Sequence, residues 1–349
     1  MNPAKAAAEI REERRSVGFD SYDITAKHLI DMVGENQILI APEYQRRFIW
    51  DDVRQSQLIE SLLLGIPIPS LFLATNEDST WEVIDGLQRL TSLLNFINPT
   101  LRPKTSNEQV FEPLVLSGLD KVRSLNGALF SDFPSSMKLS LLTRPIRITV
   151  LNDRSDHQVR FDLFERLNTG GITLHEQEIR NCVYRGPFND FIKSCSDDAR
   201  LEQIIKRTDR HARGNIEELI LKFFAYYEDR DKFQHSVKDF LNDYMARKTE
   251  LFNNRRHLRD LFNDTLQILS ANLPDGIVRA NRPNSTPLIL FEAVAVGVAD
   301  ILSVGESVDP DKLVDILDDQ ELKRLTTGAT NSLPKLRGRI QYVAEHVLA

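Results

Sequence analysis

Five consecutive residues, Asp85-Gly86-Leu87-Gln88-Arg89, combine groups that bind phosphate with a local pattern that would present them. A β pattern (WEVI) ends at Asp85, Gly86 permits a tight turn, and a helical apolar pattern follows. A helix N-terminus favours an anion because its first N–H groups lack intrahelical partners and the helix dipole is positive there. Arg89 offers a forked cationic donor, Asp85 can hold Mg²⁺ or position a water, and Gln88 can orient a water or a phosphate oxygen. These residue types in this order suit a nucleoside triphosphate.

The same spacing also fits a purely structural interpretation. Asp85 can cap the helix, since Asp is a preferred N-cap residue, and Arg89 can form a surface ion pair. Caps of this kind are routine in proteins, so the spacing of the five residues alone favours the structural interpretation. A nucleotide site therefore needs support from elsewhere in the chain.

Three further segments carry motifs in a fixed order around residues 85–89. Residues 44–50 read YQRRFIW, residues 164–171 read FERLNTGG, and residues 174–181 read LHEQEIRN. Together with the DGLQR sequence, they resemble the YQR…W, F-x-R-L-N-x-G-G and L…E-L-R-N segments of the GmrSD-type restriction endonuclease N-terminal family, whose central motif is DGQQR. The C-terminal tail is similar to that of stand-alone members of the family.

The resemblance implies a ParB/sulfiredoxin-like fold that binds nucleoside triphosphates and, in characterised relatives, hydrolyses them. In two-part relatives this activity controls the cleavage of modified foreign DNA by an HNH-type nuclease domain. The seven histidines of this chain are scattered and form no such grouping. A separate nuclease subunit is therefore expected as a partner, and the implied cofactor is Mg²⁺ with a nucleoside triphosphate of unspecified base.

The motif positions carry the implied roles into this sequence. The implied catalytic residues are Asp85, Gln88 and Arg89, with Asp85 as the Mg²⁺ ligand. The implied nucleotide- and phosphate-binding residues are Tyr44, Gln45, Arg46, Arg47, Gly86, Asn168, Gly170 and Gly171. One departure is Leu87, which stands where the family has glutamine. Leu87 falls on the buried stripe with Leu90 and Leu94, so we expect the change to affect packing more than chemistry. Whether hydrolysis survives this change stays open.

The secondary-structure pattern divides the chain near residue 186. Helices are predicted over 24–33, from an Asp51 cap to Leu64, and after Gly86, and strands over 37–40, 71–74, 81–84 and 144–152. Beyond residue 186 the apolar residues recur only at helical spacing. We therefore expect an α+β architecture, with a ParB/sulfiredoxin-like domain over residues 1–186 and an all-helical domain over residues 187–349.

The net charge of −7 at pH 7 argues against a dedicated non-specific nucleic-acid binder, because phosphate neutralisation supplies most of that affinity. DNA contact is therefore expected through local basic clusters. The candidate residues are Lys206, Arg207, Arg210, Arg255, Arg256, Arg337 and Arg339. Two cysteines and the lack of a signal-like or membrane-length apolar segment predict a cytoplasmic protein that does not enter a membrane.

Three classes of function follow from these patterns. The first is a nucleotide-binding, NTP-hydrolysing regulator or sensor in a prokaryotic anti-phage, restriction-type defence system. The second is a non-catalytic DNA-binding or antitoxin-like partner protein, and the third is a ParB-like nuclease. Asp311, Glu321 and Lys323 imitate a PD-(D/E)xK nuclease string, but their surroundings predict helices rather than the strands which that chemistry needs. Homo-oligomerisation stays open.

Overall fold

The computed structural model describes residues 18–40, 50–76, 78–101, 112–152, 161–163, 165–166, 175–206, 213–328 and 330–349, together with Pro3 and Lys5. The chain forms two compact units, Met1–Leu174 (unit 1) and His175–Ala349 (unit 2). The sequence predicted the boundary near residue 186. The division falls earlier because the helix after His175 packs on the helices of unit 2.

Unit 1 contains a five-stranded mixed sheet. Its strands are β1 (Phe19–Thr25), β2 (Ile38–Leu39), β3 (Leu71–Thr75), β4 (Trp81–Asp85) and β5 (Pro145–Leu151). In the sheet they lie in the order β1-β5-β3-β4-β2. The β1/β5 and β3/β4 pairs are antiparallel, whereas β3/β5 and β2/β4 are parallel. The sequence predicted four of these strands. It did not predict β1, whose residues are nearly all exposed and so lack an alternating apolar pattern.

Helices of unit 1 build one core with the sheet. They are α1 (Ala26–Gly34), α2 (Asp52–Leu64), α3 (Leu87–Ile97) and α4 (Ser135–Leu142). Ile59 of α2, Leu73 of β3 and Leu93 of α3 are fully buried in this core. The predicted bounds of α2 are confirmed by its caps. Asp51 Oδ1 accepts a hydrogen bond from the Arg54 N–H at 2.8 Å, and Gly65 ends the helix in the left-handed region at φ 77°.

The described part of unit 2 is helical, and its only β contacts are isolated bridges. Its helices are α5 (Glu176–Val183), α6 (Pro187–Ser196), α7 (Arg200–Ile204), α8 (Arg213–Asp229), α9 (Val237–Glu250), α10 (Arg255–Asn272), α11 (Leu288–Ser303), α12 (Pro310–Asp315), α13 (Gln320–Leu325) and α14 (Leu333–His346). The apolar helix α11 is buried over most of its length. A β-carbon at Gly297 of α11 would lie 2.8 Å from Val343, so glycine permits the close approach of α14. The α+β architecture with a helical C-terminal region is thus confirmed.

The nuclease-like string lies on helices, as predicted. Asp311 belongs to α12, while Glu321 and Lys323 belong to α13. Glu321 forms an ion pair with Arg324, and Lys323 forms one with Asp318. The carboxylates of Asp311 and Glu321 therefore lie on helices and not on the strands of that nuclease type. Within the described ranges, no helix is both long and apolar enough to cross a bilayer.

Candidate functional site

The chain passes from β4 into α3 through a turn that requires glycine. Gly86 has φ 101°, in the left-handed region that favours glycine, and it is buried at the junction. A β-carbon at this position would lie 2.2 Å from Leu71 Cδ2. The missing side chain therefore lets the end of β4 and the first turn of α3 pack against the start of β3.

The N-terminus of α3 has no side-chain cap among the described residues. Asp85 lies directly before Gly86, yet its Oδ2 accepts a hydrogen bond from Arg89 Nη2 at 2.7 Å instead of capping the helix. The Asp85 side chain is 35% exposed, while that of Arg89 is only 11% exposed. The structural interpretation is thus wrong for the cap, and the ion pair joins a buried arginine to a partly exposed carboxylate.

Arg89 also donates hydrogen bonds to main-chain carbonyls outside its helix. Its Nη1 contacts the Pro69 carbonyl oxygen and the Ser70 carbonyl oxygen, the latter at 3.1 Å. The guanidinium therefore ties the segment before β3 to Asp85 at the end of β4. These contacts satisfy the guanidinium of Arg89, which is buried.

Gln88 connects the turn to the end of the 44–50 segment. Its Oε1 accepts a hydrogen bond from the main-chain N–H of Trp50 at 3.2 Å. Trp50 packs against the core of unit 1, and the Arg54 guanidinium carbon lies 4.9 Å from the centre of its ring. The predicted phosphate ligands of this segment, namely Tyr44, Gln45, Arg46 and Arg47, lie outside the described residues.

Two buried amides beside Trp50 had no part in the motifs. Gln55 Nε2 donates to the Trp50 carbonyl oxygen at 3.1 Å, and Asn95 Nδ2 donates to Gln55 Oε1 at 2.7 Å. Gln55 is 3% exposed and Asn95 is 6% exposed. The sequence signal was a polar residue on an apolar helix face. Asn95 stands between Leu94 and Phe96, seven residues after Gln88.

The third motif is described only in part. Residues 161–163 and 165–166 are helical, Phe161 is buried, and Arg166 is exposed. The predicted ligands Asn168, Gly170 and Gly171 lie outside the described residues.

The last motif, residues 178–181, lies in unit 2, where Arg180 is fully buried. Arg180 Nη1 contacts Glu218 at 3.1 Å and Nη2 contacts Glu176 at 3.0 Å. Arg180 Nε donates to Asn242 Oδ1 at 2.9 Å. These contacts give the motif arginine a packing role within the helical unit.

The described residues among the predicted DNA contacts lie on different segments of unit 2. Arg255 and Arg256 occupy the exposed first turn of α10, and the Arg256 side chain is 97% exposed, with Asp260 3.8 Å away. Lys206 is half-buried, and its main-chain N–H donates to Thr286 Oγ1 at 2.9 Å. Arg337 is exposed and contacts Asp231 at 2.7 Å. Arg207 and Arg210 lie outside the described residues.

Arg339 does not fit the prediction of a DNA contact. Its side chain is 3% exposed, and Nη2 contacts Glu292 Oε2 at 2.7 Å. Its Nη1 donates to the Thr330 carbonyl oxygen at 3.1 Å. The prediction for Arg339 is corrected, because one face of α14 packs on α11 and takes the arginine inside.

The comparisons with known proteins identify one family. A family model described as the GmrSD restriction endonuclease, N-terminal domain, matches residues 28–185. Residues 28–185 are a GmrSD N-terminal domain. No curated protein and no solved structure matches the chain. The GmrSD domain includes the turn at Gly86 together with Trp50, Gln55 and Asn95. The match thus connects residues 28–185 with a restriction endonuclease family.

Proposed function

We propose that the GmrSD domain binds a nucleoside triphosphate with Mg²⁺ at the Asp85–Arg89 turn and hydrolyses it. In this proposal, nucleotide state regulates a restriction-type response to foreign DNA that is cut by a separate nuclease subunit. The supporting observation is that no described side chain caps the N-terminus of α3, beside a partly exposed carboxylate. The first N–H groups of a helix and the positive end of its dipole suit the phosphates.

Asp85 suits one ligand position of the metal. Its Oδ2 contacts Arg89, and its Oδ1 forms no hydrogen bond to any described residue. Mg²⁺ commonly takes one or two carboxylates, with phosphate oxygens and waters completing its shell. A single carboxylate such as that of Asp85 suits an ion that arrives with the nucleotide. When bound, Mg²⁺ would neutralise phosphate charge.

Arg89 and Gln88 would act by holding the turn in shape. Arg89 is bonded to the Ser70 carbonyl and to Asp85, which aims the carboxylate, while Gln88 holds the main chain of Trp50. Arg46 and Arg47 would supply the phosphate-binding cations, with Tyr44 and Gln45 beside them. The resemblance assigns the close backbone approach to Asn168, Gly170 and Gly171. In this division of roles, the ligand contacts the N-terminus of α3.

Regulation by DNA would use basic residues of unit 2. Arg255 and Arg256 form the first turn of α10, which contains no acidic residue. Cations at a helix N-terminus oppose the helix dipole, so this turn is arranged at some cost to stability. An anionic partner such as the DNA backbone would remove that repulsion. We include Lys206 and Arg337 as further contacts of this kind.

The test is phosphate release from ATP, GTP, CTP and UTP with Mg²⁺, each with and without plain or modified DNA. Asp85→Ala and Arg89→Ala should both abolish turnover. Asp23→Asn is the matched control, because Asp23 and Arg147 form an Asp–Arg pair of the same 2.7 Å length on an exposed part of the same sheet. Turnover that survives in both turn variants would refute the site.

Two other outcomes would select the other classes of function. Nucleotide binding without phosphate release would identify a non-catalytic DNA-binding or antitoxin-like partner protein. Leu87 supports that class, since it packs against the core where the family has glutamine. Nicking of a supercoiled plasmid by the protein alone, with Mg²⁺ or Mn²⁺, would identify a ParB-like nuclease.

A further inference from the structure

A chain of hydrogen bonds runs through buried amides from α3 to Trp50 and back to α3. Gln88 of α3 accepts from the Trp50 N–H, and Gln55 of α2 donates to the Trp50 carbonyl. Asn95 of α3 then donates to Gln55. Gln88 and Asn95 are seven residues apart, so they lie on the same face of α3, about two turns from each other. We call these contacts the Trp50 clamp.

The main chain of Trp50 decides the orientation of every amide in the clamp. An N–H can only donate, so Gln88 must present its oxygen, and a carbonyl can only accept, so Gln55 must present its nitrogen. The oxygen of Gln55 then faces Asn95, which must present its nitrogen. Burying amides is costly unless they are hydrogen-bonded, and an apolar pair would fill the same space. The clamp therefore fixes the orientation of its hydrogen-bonding groups in addition to filling space.

We propose that Gln55 and Asn95 are positioning residues of the candidate nucleotide site. They hold Trp50 against the Asp85–Arg89 turn, which contacts Trp50 through Gln88. The part of this inference that concerns nucleotide affinity rests on the proposed function.

The fluorescence of Trp50 can show whether the Trp50 clamp is intact. The chain has two tryptophans, Trp50 and Trp81, so Trp81→Phe leaves Trp50 as the single fluorophore. In that background, Gln55→Leu removes the hydrogen bonds of Gln55 to Trp50 and to Asn95, while the side-chain volume stays similar. Asn95→Asp removes the donor to Gln55 Oε1 and should turn the Gln55 amide, so that its oxygen faces the Trp50 carbonyl. The readouts are acrylamide quenching of Trp50, melting temperature, and affinity for ATP, GTP, CTP and UTP with Mg²⁺.

Ser56→Ala is the matched control. Ser56 is the next residue on α2, is fully buried, and accepts from the Ser117 N–H at 3.0 Å instead of contacting Trp50. We expect all three variants to lower the melting temperature. Gln55→Leu and Asn95→Asp should raise the quenching of Trp50 and weaken nucleotide binding about tenfold, as loss of a supporting hydrogen bond does in other sites. Ser56→Ala should change neither quenching nor affinity.

The outcomes separate this inference from the proposed function. Quenching of Trp50 that is unchanged in Gln55→Leu and Asn95→Asp would overturn the clamp itself. Increased quenching with unchanged nucleotide affinity, or equal loss of affinity in Ser56→Ala, would overturn the positioning role. If the Trp81→Phe protein binds no nucleotide, the proposed function fails together with the link to affinity. The quenching data would then still decide whether Gln55 and Asn95 hold Trp50.

Discussion

At residue 86 the chain turns from β4 into α3 with a positive φ of 101°, and the neighbouring Leu71 fills the space that a side chain would need. Gly127 shares only the first of these features. It has φ 89° and no atom within 4 Å of the place where a β-carbon would stand. The two glycines therefore separate the cost of backbone strain from the cost of a steric clash.

We predict that Gly86→Ala destabilises the protein more than Gly127→Ala. An alanine in the left-handed region costs about 1–2 kcal/mol, which both variants bear. Gly86→Ala adds overpacking against Leu71, which costs about 1–3 kcal/mol more. Urea unfolding followed by circular dichroism measures the difference. Equal losses in the two variants would show that Leu71 moves aside freely.

Among the elements, four helices of unit 2 are connected by alternating charges. Arg180 of α5 contacts Glu218 of α8, and Lys222 contacts both Glu218 and Glu292 of α11. Arg339 of α14 contacts Glu292 and completes the series. Burial raises the pKa of Glu218, but the positive charges of Lys222 and Arg180 outweigh it and lower the pKa overall. The neighbours thus hold Glu218 and Lys222 in their charged forms.

We predict a large difference between two arginines of α14. Arg339→Gln leaves Glu292 buried with less compensation, so it should lower the free energy of unfolding by about 3–5 kcal/mol. Arg337→Gln breaks an exposed pair with Asp231 and should cost less than about 1 kcal/mol. Urea unfolding of both variants is the measurement. A small effect of Arg339→Gln would mean that water or another cation replaces the guanidinium.

The elements also show what the sequence could predict. Helix α2, with its caps, and strands β3, β4 and β5, with their apolar runs, have signals in residues that are neighbours in sequence. The structure confirms these four predicted elements. The exposed strand β1 depends on its partner β5 and has no local signal. For the site, the motif pattern identified the turn. The buried contacts of Arg89 and the clamp through Gln55 required the tertiary structure, because their partners lie about 20 to 40 residues away in sequence.

Across the whole molecule, burial keeps protons on several weak acids of unit 2. Burial raises the pKa of the Cys195 thiol to about 12 and raises the pKa of Tyr226 and Tyr244 above the ordinary tyrosine range. The unfolded chain releases these protons at a lower pH than the folded protein does. The unfolded state therefore binds fewer protons at alkaline pH, and the free energy of unfolding must fall as pH rises above about 9.

We predict that Tyr226→Phe flattens this alkaline loss of stability. Each group that stays protonated only in the folded state contributes about −1.4 kcal/mol per pH unit above its unfolded pKa. For tyrosine this begins near about pH 10, so wild type and variant should have parallel profiles below that pH and diverge above it. Urea unfolding at a series of pH values from neutral to strongly alkaline gives both profiles. Parallel profiles throughout would show that Tyr226 ionises equally in both states.

The Trp50 clamp has a consequence for variation among relatives. The hydrogen bonds of Gln88 and Gln55 to residue 50 use its main-chain N–H and carbonyl groups, so these two bonds do not depend on the identity of its side chain. As far as these two hydrogen bonds are concerned, natural substitution can replace the indole by any residue that still fills the space beside the core. Proline is the exception, because it has no N–H to donate to Gln88. Of the twenty residue types, proline is thus the one that the hydrogen bond to Gln88 excludes at position 50.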